Sequence, residues 1–171
     1  MKMAPFIKGW LPLGVGLTLT FGTVYLVGQQ IYRQLAYDPQ VQRAHDATLG
    51  TIDGPVVNMA TSLAAFQMNL DQDRRILGTT GQLDGVSVLP PAGVFDYARA
   101  HSENHLTWQP RAGVRLAAVV VKKPGGYVLV ARNLSETEKR TQMLLGQVVI
   151  AWLATLLATL VVARVFDRHK D

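Results

Sequence analysis

The sequence contains no cysteine. That absence excludes a disulfide framework, a thiolate metal site and a cysteine nucleophile. There is also no G-x-S-x-G elbow, no P-loop and no G-x-G-x-x-G turn, which removes the local signatures of serine hydrolases, of phosphate cradles and of dinucleotide binding. The scattered carboxylates form no readable acid–base pair, so no catalytic residue, no metal site and no cofactor are expected. Acidic charge is in short supply: 17 Lys and Arg face 12 Asp and Glu, a net charge of +5. Five of the basic residues (Lys2, Lys8, Arg164, Arg168 and Lys170) lie in short segments at the chain ends, against only Asp167 and Asp171. The excess therefore reads as membrane flanks, and no nucleic-acid partner is expected.

What the chain has instead is two long apolar runs, residues 10–28 (WLPLGVGLTLTFGTVYLVG) and residues 143–166 (MLLGQVVIAWLATLLATLVVARVF). Each is near the ~20 residues that a helix needs to cross a ~30 Å hydrocarbon layer. The first exceeds the roughly 7–15 apolar residues of a secretory signal, and no Ala-x-Ala site follows it, so it reads as an uncleaved anchor. Short basic flanks stay in the cytoplasm. The organisation expected is a cytoplasmic tail (1–9), a first span (10–28), an exported domain (29–142), a second span (143–166) and a cytoplasmic tail (167–171), with the lipid bilayer as an obligatory partner.

Both spans carry small residues at every fourth position: Gly14, Thr18 and Gly22 in the first, and Ala151, Thr155, Thr159 and Ala163 in the second. Small residues let helix backbones approach closely in lipid. The stripes point to packing of the two spans on each other, or to a homodimer through them.

In the middle segment, Ile31 and Leu35, then Val41, Ala44, Thr48 and Ile52, keep the helical period. This predicts a juxtamembrane helix kinked or restarted near Asp38-Pro39 and ending before Asp53-Gly54-Pro55. Phe66, Met68 and Leu70 alternate with Gln67, Asn69 and Asp71, the period of a half-buried strand. Asp71-Gln72-Asp73-Arg74 turns it back into a strand over 76–80. Val94, Phe95 and Ala98 mark a short helix ending near His101. Leu106 to Gln109 is a short strand. Residues 113–121 form a strong β-branched strand, turned by Pro124-Gly125-Gly126 into a return strand over 127–132. Ser135-Glu136-Thr137-Glu138 fits a capping box, opening a helix that runs unbroken into the second span.

This order resembles the PAS-like (Cache-type) extracytoplasmic sensing domains of bacterial receptors. The likeness rests on the helix through YRQLAYDPQVQRAHDA, the hairpin AAFQMNLDQDRRILGTT and the pair GVRLAAVVVKK / GYVLVARNLSETEKR. The fold class expected is α+β: a small PAS-like antiparallel sheet with flanking helices, plus two transmembrane α-helices. The resemblance implies a small mixed sheet with its helices on one face and a shallow pocket opposite the central strands for a small metabolite or ion. It also implies an output region after the last span, where only a few residues follow here. The expectation is a membrane-anchored sensory or ligand-binding protein that signals through a separate membrane signalling or transport partner. The alternative is an envelope scaffold or accessory subunit that uses the domain for protein docking.

Arginine beside aromatic residues suits a carboxylate or phosphate ligand. On that ground Tyr97, Arg99, Trp108, Arg115, Tyr127 and Arg132 are the candidate ligand-binding residues, with Arg111 near them; the other reading of the arginines is a solvated sheet face or contact with lipid head groups. His101 and His105 stand four apart, but Ser102 occupies the place of the glutamate that a zinc-protease helix needs, and the segment reads as loop. Asp71-x-Asp73 begins like a calcium loop, but Ile76 and Gln82 stand where that loop needs Gly and Glu, so it is a hairpin turn. Asn133-Leu134-Ser135 has the form of a glycosylation sequon and reads as a structural turn.

Overall fold

The computed structural model describes residues 5–47, 49, 52 and 54–168. They form, in order, α1 (Pro5–Asp46), β1 (Val57–Asn58), β2 (Phe66–Asp71), β3 (Ile76–Thr79), β4 (Gly81–Gln82), α2 (Ala92–His101), β5 (Glu103–Arg111), β6 (Val114–Lys123), β7 (Gly126–Asn133) and α3 (Ser135–Arg168). The chain divides into two compact units. One is Met1–Tyr32 with Lys139–Asp171; the other is Arg33–Glu138. The class is α+β.

In the first unit, α1 and α3 supply helices long and apolar enough to cross a membrane. Large apolar side chains such as Leu13, Leu19, Leu26, Ile150, Leu157 and Val161 stand exposed around them. A helix apolar on every side has no soluble surface to offer, which suits a lipid solvent.

The second unit is built on a five-stranded antiparallel sheet in the order β3-β2-β7-β6-β5. β1 and β4 form a separate parallel pair. The alternation read in residues 65–71 holds: Phe66, Met68 and Leu70 are buried together with Leu116, Ala118, Val120, Tyr127 and Leu129. Phe95 and Ala98 of α2 cover that face, with Met59 beside them. The opposite face is Val119, Val121, Val128 and Val130, and Tyr37, Val41 and Ala44 of α1 lie on it. β6 and β7 are thus buried on both sides, which is why their sequences read as nearly unbroken apolar runs. The expectation of a mixed sheet with helices on one face is corrected here. The main sheet is wholly antiparallel, and helices cover both of its faces.

Three boundaries also differ from expectation. α1 does not restart at Pro39; it continues to Asp46. Proline lacks the N–H that would bond the carbonyl four residues back; here that carbonyl belongs to Leu35, an exposed residue. The same helix stops short of Ile52, while Thr48 and Asp53 lie outside the described residues. β5 starts at Glu103, earlier than the short strand expected. At Ser135 the reciprocal capping box does not form. The Ser135 amide donates to Asn133 Oδ1 at 2.8 Å, and the Glu138 carboxylate accepts from Arg115 at 2.6 Å. Buried Asn133 also donates to the carbonyls of Met59 and Ala60, so one side chain ties the β1 loop to the start of α3.

Candidate functional site

The six candidate ligand residues do not converge. Trp108 and Tyr127 are each only 5% exposed and belong to the α2-side core. The Tyr127 ring meets Phe95 edge-on, 5.4 Å between centroids. Tyr97 sits instead on the outer side of α2, 51% exposed, with its ring stacked 4.1 Å from that of His101. Arg99 pairs with Asp96 one turn back at 2.6 Å. Arg115 and Arg132 lie on the α1-side face of neighbouring strands, since the partner of Arg132 is Ala117. Arg115 is engaged by Glu138, and Arg132 Nε donates to the Leu63 carbonyl at 2.9 Å. Arg111 pairs with Asp84, which also accepts from Asn58. Those two contacts, the Asn58 hydrogen bond first, hold the Asp84 carboxyl below the usual carboxylate range.

On the α1-side face, a cavity of about 200 Å³ is lined by Ile52, Asn69, Leu77 and Gly78. Asn69 is fully buried and accepts from Gln67 Nε2 at 2.8 Å.

One cluster was not foreseen. Because β5 begins at Glu103, the strand period turns Glu103, His105 and Thr107 to the same face. There His45 of α1 approaches Glu103 Oε2 at 2.8 Å, while His105 approaches Oε1 at 3.1 Å. The Tyr37 hydroxyl meets Thr107 Oγ1 at 2.9 Å, and its ring stacks on His105. The hydrogen bond from His45 is the main cause holding the Glu103 carboxyl below its ordinary range. Extending the period-2 pattern back from Leu106 would have revealed the shared face of β5. The approach of His45 depends on tertiary packing. His101 and His105 therefore serve different contacts, and among the described residues no group of three His, Cys, Asp or Glu side chains is placed to hold a metal ion.

In the first unit the small-residue positions are used unequally. Thr18 Oγ1 accepts from Trp152 Nε1 at 3.1 Å, and Thr159 Oγ1 accepts from Trp10 Nε1 at 3.0 Å. A side chain on Gly14 would press the Trp10 ring at 3.2 Å, and one on Gly28 would meet Leu144 at 2.7 Å. These pairs fix an antiparallel register in which partner numbers add up to about 170. Gly22 faces open space, and Ala151 is exposed. Thr155, whose hydroxyl bonds back to Ala151, and Ala163 are half-buried. The tryptophans were missed because an indole donor inside a span needs an acceptor whose identity depends on register.

No family model, curated protein or solved structure matches the chain.

Proposed function

We propose that the chain is a two-pass protein of the cell membrane, with both termini cytoplasmic and a PAS-like domain held outside, and that this domain works by docking a protein partner as an envelope scaffold or accessory subunit. The supporting observation is the filled interior. The space between α2 and the sheet is occupied by Phe66, Met68, Phe95, Trp108 and Tyr127, none more than 5% exposed. The side chains suited to recognition point outward instead. Tyr97 and His101 form a stacked aromatic pair on the solvent side of α2, with Arg99 on the same helix. Exposed tyrosine and arginine are the residues that protein interfaces favour.

The test is a photo-crosslinking amino acid at position 97 of the full chain in intact cells. Docking predicts one discrete adduct, abolished by Arg99→Glu with the unfolding midpoint unchanged. A diffuse smear, or an adduct indifferent to that substitution, contradicts it.

A second reading, sensing of a small ligand, is favoured by the cavity beside buried Asn69. It predicts that a small polar metabolite or ion raises the unfolding temperature of the full chain in a saturable way, and that Gly78→Leu, which fills the space, removes the effect.

A further inference from the structure

Two independent features meet where α1 lies on the sheet. The first is the bridge at its outer edge: His45 from α1 and His105 from β5 take the two oxygens of one carboxylate, Glu103. The second lies inside the same contact. Gln40 is 1% exposed, and neither its amide nitrogen nor its amide oxygen finds a hydrogen-bond partner. An unpartnered buried amide works against the packing that buries it. The helix is thus fastened at its edge and weakened beneath.

We propose that His45, Glu103 and His105 form a pH-operated clamp on the C-terminal half of α1, tightening as the imidazoles take up protons and slackening as they lose them. The chemistry follows from the geometry. Histidine is the side chain whose charge ordinarily changes between pH 5 and 8. A neutral imidazole donates one N–H to the carboxylate; a protonated one turns the same contact into an ion pair and strengthens it.

The surrounding charges shape the response. On α1 the neighbours of His45 are Arg43 and Asp46, with Tyr37 two turns back; on β5 they are Glu103 and His105. From β6, Lys123 Nζ donates to the His45 carbonyl at 2.5 Å. Below the carboxylate range Glu103 itself takes a proton and the clamp weakens again. All three side chains are partly exposed, which limits the response to a few-fold. The unpartnered Gln40 is what allows a few-fold change to move the helix. This inference is independent of the docking proposal, since it concerns how α1 is held and not what the outer surface of α2 meets.

The experiment uses the full chain in phosphatidylcholine nanodiscs. Cysteines replacing Gln42 on α1 and Gln109 on β5, both exposed, are the sole thiols and carry spin labels for distance measurement. Between pH 5.5 and pH 8 the displaced population should grow about three- to tenfold, as expected for two exposed charge pairs. Glu103→Gln should abolish the dependence, and His45→Gln or His105→Gln should each reduce it. Identical distance distributions at the two pH values in the otherwise unaltered chain overturn the proposal. So does full pH dependence in Glu103→Gln, or in His45→Gln should the first variant fail to fold.

Discussion

Gln40 is the residue whose effect on stability is least expected from its chemistry. Replacing a polar residue usually costs stability, but this amide is buried without a partner. Gln40→Met keeps the length of the side chain and removes both unsatisfied atoms. It should stabilise the folded domain by about 1–3 kcal/mol, read as a higher urea midpoint of the full chain at unchanged slope. Gly126 makes the opposite case. A Cβ there would lie 1.9 Å from the Leu70 carbonyl oxygen, which is backbone and has no rotamer to adjust. Gly126→Ala should cost about 3 kcal/mol or more by forcing β7 away from β2, seen as a steep drop in the same midpoint. The two carboxylates with shifted acidity give a pH prediction. Asp84 and Glu103 are both held below their ordinary range in the folded state. Their stabilisation is therefore complete above the unfolded-state range, about pH 4–4.5, and is lost as pH falls through the folded values. Thermal midpoints recorded from pH 6 to 3 should decline below about pH 4.5, and Asp84→Asn combined with Glu103→Gln should flatten that decline. At this scale the alternation of Phe66, Met68 and Leu70 was legible because a strand imposes its own period. The destination of Glu138 was not. Ser-x-x-Glu encodes a local bond, and Arg115, 23 positions away in sequence, took the carboxylate instead.

Among the elements, the helix pair carries the sharpest test. Trp10 with Thr159 and Trp152 with Thr18 set an antiparallel register. In lipid an indole N–H without an acceptor is costly, and each of these polar contacts contributes roughly 0.5–1.5 kcal/mol. Phe21 and Val148 are both partly buried and fall on the same register. Cysteines at these two positions should form an intramolecular disulfide readily, whereas a Phe21 cysteine combined with one at Leu156, two turns away, should not. Equal crosslinking of both pairs would refute the register. The small-residue spacing coincides with these contacts only at Gly14, Thr18 and Thr159, and the offset between the helices is set by the tryptophan donors. Pro39 shows the converse limit: a proline reads as a boundary, but a long helix with the sheet packed along Tyr37, Val41 and Ala44 continues through it. Tertiary contact outweighed the local signal.

For the whole molecule, the two apolar runs were visible from composition alone, because bilayer thickness sets a length that no local detail disguises. The sheet was largely visible through its hairpins. Coverage of both faces was not, because it depends on where α1 lies once β6 and β7 have paired. The dispersal of the candidate ligand residues has the same origin. Arginine and aromatic residues near one another in sequence lie in the core, on α2 and on the α1-side face of the sheet. A two-pass protein of this design holds its domain outside and its ends inside. The absence of native cysteine makes the decisive measurement clean: a single cysteine at Gln109 or at Met3, probed in intact cells with a membrane-impermeant maleimide. Position 109 should be labelled without lysis, and position 3 only after it. Protection at 109 together with labelling at position 3 would contradict this topology.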